Sequence, residues 1–192
     1  MRHALAVLVL FIGILLVCAG CRKNPYDQKI SAADQEELNR WLSFNTHRLS
    51  VREIEEINNS MREIRISFML RDAKKSKTNE TLNRLLCEKI NGLPLKEMVV
   101  MGYELQIGRY EVERLRLVGD LHHKNKLKTR PGDLDSECFL REQKEMVGEQ
   151  IGEFDSRIER CKTRIKELCE KFAMPDPATD STPPERISTG DS

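Results

Sequence analysis

The chain has 192 residues, 33% of them charged and 5% aromatic, with 32 Lys and Arg against 31 Asp and Glu. That balance excludes a general nucleic-acid binder, which needs net basic surface to displace counterions from phosphates. Few aromatics among many Leu, Ile, Glu, Arg and Lys predict helices with narrow apolar stripes, in one domain with a thin, elongated core.

The first element, residues 1–21, has the order of an export signal. Arg2 and His3 precede an apolar run, and Cys18-Ala19-Gly20-Cys21 closes it. Ala4 to Gly20 is 17 residues without a charge. At ~1.5 Å per residue it would reach about 25 Å, at or just below what a bilayer core requires. The small Ala19 and Gly20 favour cleavage, and Cys21 then offers its thiol for acylation. Here the sequence resembles the bacterial lipoprotein class, whose signal ends in small-small-Cys. It departs from that pattern at Cys18, where the class carries an aliphatic residue. The resemblance covers about twenty residues and implies an envelope protein held by acyl chains such as palmitate on Cys21. Arg22 occupies the position where an aspartate would retain the protein in the inner membrane. The resemblance therefore implies the outer membrane, facing the periplasm, in a host with two membranes. Beyond residue 21 only Arg2 has left the charged set, so the remaining 171 residues carry 31 basic and 31 acidic side chains.

Residues 22–33 read as a tether broken by Asn24-Pro25. The domain proper is expected over 34–174. Asp34 to Leu49 predicts a first helix with Leu38, Trp41, Leu42 and Phe44 on one side, Trp41 serving as a packing anchor. Ser50-Val51-Arg52-Glu53 fits a capping box, and Ile54, Ile57, Met61, Ile64 and Phe68 then step by three and four. A shorter helix runs from Thr78 or Asn79 to Ile90 and ends at Asn91-Gly92, where glycine tolerates a left-handed conformation. Pro94 sits where a first-turn proline belongs. Leu95 to His122 continues helical. Gly102, Gly108 and Gly119 interrupt its apolar positions and suggest close approach of a second backbone.

Residues 124–135 form a loop around Pro131-Gly132, and Asp135 or Ser136 caps the next helix. That last helix, 137–172, carries the strongest pattern. Val147, Ile151, Phe154, Ile158, Cys161, Ile165, Leu168 and Phe172 step by four and three without a miss. This seam must pair with an earlier helix or with another chain. It is the candidate partner-binding surface, and self-association through it is one expectation. Residues 175–192 have four prolines and no apolar period, and read as a disordered tail.

Little in the chain announces chemistry. Cys87, Cys138, Cys161 and Cys169 form no CxxC, so a zinc site is not expected. In an oxidising compartment two bridges, one or none are open. With two, Cys161 and Cys169 lie too far apart on one helix to join, which leaves Cys87 with either and Cys138 with the other. His122-His123 with Lys124, Lys126, Lys128 and Arg130 reads as a solvated basic loop or a contact for anionic lipid or cell-wall polymer. No hydrolase, metalloprotease or phosphate-loop motif is present. The expectation is therefore an all-α, elongated antiparallel hairpin or bundle with coiled-coil packing. It would be an envelope lipoprotein with a structural, scaffold or assembly role, not an enzyme, with no cofactor and no small-molecule substrate. The alternative is a helical module binding a lipid or peptide, motivated by Met98, Met101 and the three glycines.

Overall fold

The computed structural model describes residues 24–71, 78–130, 132–175 and 177. The signal segment with Cys21, and the expected tail from 178 onward, lie outside them. Among the described residues the fold is all-α. A 3-10 turn, Pro25–Asp27, leads into α1 (Gln35–Asn45), α2 (Val51–Arg71), α3 (Asn79–Ile90), α4 (Leu95–Lys126) and α5 (Leu134–Phe172).

Helix starts follow local chemistry. Asp34 caps α1 by accepting from the Glu37 amide at 2.8 Å. The Ser50–Glu53 capping box forms in both directions, with the Ser50 amide on Glu53 Oε2 at 2.9 Å and the Glu53 amide on Ser50 Oγ at 3.3 Å. That hydrogen bonding holds the Glu53 carboxyl below its ordinary pKa. Thr78 caps α3 through the Thr81 amide. Gly92 turns the chain at φ +79°, as its position after α3 predicts. Pro94 stands one place earlier than expected, capping α4 from outside. Helix α5 also starts earlier than expected: Asp133, not Asp135 or Ser136, supplies the cap and binds the Ser136 amide and hydroxyl.

The segment expected as a tether is packed into the core from Tyr26 onward. Tyr26, Ile30 and Ala32 are buried. Backbone bonds join Ile30 to Leu93 and Gly92, and Leu95 to Gln28, while the Asn91 side chain accepts from the Ala32 amide. The polar Asn24-Pro25 signal marks a turn, and the apolar residues just after it are core residues.

Helices α4 and α5 form an antiparallel hairpin, with α2 packed on α4, α3 on α2, and α1 on α3. At ~1.5 Å per residue α4 is about 48 Å long and α5 about 58 Å. The core occupies the end of the hairpin where Ile57, Ile64, Leu86, Ile90, Leu95, Met98, Val99 and Leu168 meet. Trp41 packs against it, whereas Phe44, expected on the same side, is 73% exposed. The α5 seam is spent inside the chain: Val147, Ile158, Ile165 and Leu168 are buried and Ile151 and Phe154 half-buried in the pairing with α4. Most of the seam is therefore taken up within the chain.

Candidate functional site: an ionic junction and a projecting arm

Two carboxylates on α2 lock three helices together. Glu63 is 2% exposed and accepts from Arg109 of α4 through Nε at 3.0 Å and Nη2 at 2.7 Å. Glu56 is also buried and accepts from Arg164 of α5 through Nε at 2.7 Å and Nη2 at 3.1 Å. It takes a further bond from the Tyr103 hydroxyl at 2.8 Å. Forked guanidinium geometry satisfies both carboxylate oxygens, the condition for keeping such charges out of water. Hydrogen bonding to Glu56 holds the Arg164 guanidinium charged more firmly than usual. Burial, with help from Glu56, pushes the Tyr103 hydroxyl well above its ordinary pKa, so it remains a donor.

Between the two pairs α2 and α4 touch backbone to backbone. A Cβ on Gly102 would stand within 2.5 Å of Ser60 Cα. Ser60 Oγ bridges the helices, donating toward the Glu56 and Val99 carbonyls. Above the junction lies an open groove of about 390 Å³, with Arg52, Arg62, Arg157 and Arg160 in its wall. Both buried carboxylates are occupied by arginine and tyrosine donors, so the junction ties α2 to α4 and α5. A second, more apolar cavity of about 580 Å³ lies between Ile64, Phe68, Val100, Met101, Leu105 and Cys169.

Past Arg109 the hairpin leaves the core and becomes a two-helix arm. Between residues 110 and 157 only Leu117 and Val147 are buried among the described residues. Tyr110 rests on Phe154 at 5.7 Å, and Arg114 pairs with Asp155. The outer surface keeps Val112, Leu115, Leu127, Leu134, Phe139 and Met146 in solvent. Gly108 and Gly119, expected with Gly102 to admit a second backbone, face open space. His122 and His123 are exposed on the last turns of α4.

Among the described residues Cys87, Cys138 and Cys161 are free thiols. A continuous α5 explains why neither two-bridge pattern forms. Cys138, Cys161 and Cys169 share that helix, and Cys138 stands about 35 Å from Cys161 along it, far beyond a bridge's reach. Burial raises the pKa of Cys87 and Cys161, which favours the thiol over the thiolate. Among the described residues no group of His, Cys, Asp and Glu is arranged to hold a metal, and no helix is long and apolar enough to cross a membrane.

The junction was not foreseen from sequence, yet its signal is there. Glu56 and Glu63 are seven residues apart, each just before a seam residue, Ile57 and Ile64, so both share the buried side of α2. No protein-family model, curated protein or solved structure matches the chain, so its function is argued from its own residues.

Proposed function

We propose that the protein is a membrane-anchored envelope lipoprotein that acts as a scaffold or assembly partner, held through acyl chains on Cys21. The observation that carries the scaffold role is the arm: two helices paired by their own seam, projecting beyond the core with large apolar side chains in solvent. Exposed apolar groups gathered on one projecting element serve contact with other molecules. The 390 Å³ groove lies over Glu56 and Glu63, whose carboxylates Arg164 and Arg109 already engage, which supports a structural use over a catalytic one. The anchor is tested by feeding cells labelled palmitate. The parent chain should take up label and sediment with membranes, whereas Cys21→Ser should lose both. A Cys21→Ser chain processed and membrane-bound like the parent overturns the reading.

A second reading, a module binding a lipid or peptide, is favoured by the apolar 580 Å³ cavity, which falls within the range of small-ligand sites. Met101 lines it, whereas Met98, its expected companion, is fully buried in the core. Native mass spectrometry of the purified protein should then show a bound apolar ligand, lost in Met101→Lys; an unliganded mass throughout excludes it.

A further inference from the structure

The outer face of α4 carries a second heptad seam, on the side opposite the one that meets α5. Met101, Leu105, Gly108, Val112, Leu115 and Gly119 step by four and three. The first two lie against the core, and the rest run out along the arm. Val112 and Leu115 are 66% and 64% exposed, and a Cβ on Gly108 or Gly119 would meet nothing within 4 Å. The α5-facing side of the same helix, at Tyr110, Arg114, Leu117 and Leu121, is already filled. Among the described residues no internal contact accounts for an apolar stripe at coiled-coil spacing on the far side.

The charges beside this stripe identify what covers it. One flank is acidic, with Glu104 and Glu111; the other is basic, with Arg109 and Arg116. Each Glu precedes an Arg by five residues. That is the offset between facing flank positions of two parallel helices, where such pairs set partner and orientation. An antiparallel copy would set Glu against Glu and Arg against Arg. Arg109 is held by Glu63, so Glu111 facing Arg116 of the second copy is the discriminating pair. Arg116 now pairs with Glu113 across exposed helix surface, a contact that costs little to exchange. The two open glycines let the backbones come close.

We propose that two copies of this chain pair in parallel along the outer face of α4, through Gly108, Val112, Leu115 and Gly119. The proposal goes beyond the scaffold reading by naming the partner, and it stands without the anchor. Parallel pairing is also the sense open to two copies standing on one membrane surface.

The test is disulfide trapping of the full-length chain in intact cells. Leu115→Cys, on the stripe, is compared with Ser156→Cys, exposed on the outside of α5, with the parent's native thiols as background. The stripe thiol should give about tenfold more homodimer than the control, because pairing raises its effective concentration. In the Leu115→Cys chain, Glu111→Lys should lower the yield about tenfold, and adding Arg116→Glu should restore it. These are exposed positions whose substitution leaves folding intact. Equal trapping at both thiols, trapping of a different protein at Leu115→Cys, or a double reversal that fails to restore the dimer each overturns the proposal.

Discussion

The two ends of the α4–α5 hairpin share one seam and differ in what lies behind it. At the core end Met98, Val99 and Leu168 are sealed because α2 and the Tyr26–Ala32 segment form a further layer. At the arm end the same stepping of four and three buries only Leu117 and Val147 among the described residues, because no other described element backs the pair. A heptad seam is enough to specify which helices pair and in what register. It does not by itself create an interior, which needs a third element. Amides of the arm should accordingly exchange hydrogen through smaller openings than those of residues 95–105 and 158–170, as local contact density dictates.

That contrast is broken most sharply by truncating one apolar side chain at each end. Leu168→Ala should cost about 3–5 kcal/mol in urea unfolding, since a buried leucine leaves a cavity. Leu115→Ala should cost less than about 0.5 kcal/mol, as exposed positions do. The ion pairs should separate next. Glu63→Ala strands a partly buried guanidinium and should cost about 3 kcal/mol. Asp155→Ala removes a half-exposed pair with Arg114 and should cost at most ~1 kcal/mol, shrinking further in salt.

Glycine substitutions should change sign along α4. Gly102→Ala forces α2 away and should destabilise by about 1–3 kcal/mol. Gly108→Ala fills open space and should stabilise the dilute monomer by ~0.5–1 kcal/mol through helix propensity. In the trapping assay the same Gly108→Ala should weaken homodimer formation, which separates pairing from stability. The smallest effect concerns acid. Glu53 has a folded pKa below its ordinary value, so its contribution is present above the usual carboxylate range and is lost as pH falls through the folded pKa. Ser50→Ala removes the hydroxyl cap and costs about 1 kcal/mol near neutrality, but it keeps the backbone N–H bond that is the larger cause of the Glu53 shift, so it should flatten that part of the acid limb only in part. Unfolding midpoints at pH 7 and below pH 4 check it.

The helices were legible where period and caps agree: the Ser50–Glu53 box, Thr78, Gly92 and the Val147–Phe172 seam all stand where their chemistry puts them. The packing of the last helix on the one before it, with α2 alongside, was legible too, because an unbroken seam demands a partner. The burial of Tyr26 and Ile30 was hidden by short length, since ten residues around a proline carry no period to read. Of the disulfide outcomes left open, the two-bridge patterns are ruled out by the length of one helix, which keeps Cys138 away from both other thiols on it. Glu56 and Glu63 were hidden by abundance. In a chain one-third charged, only the fold distinguishes a carboxylate that a guanidinium will meet from one left in water.

Tyr26 stacks on Phe172 with ring centroids 4.7 Å apart, so the described chain enters and leaves the body at one pole while the Gly132 turn lies at the other. Both ends are thus clamped at the base of a rod about 50 Å tall. A pull applied at the base loads the Tyr26–Phe172 clasp first and leaves the distal helices slack. Fluorophores placed near residue 26 and at residue 132 would therefore gauge the height at which the tip is carried above whatever surface holds the base.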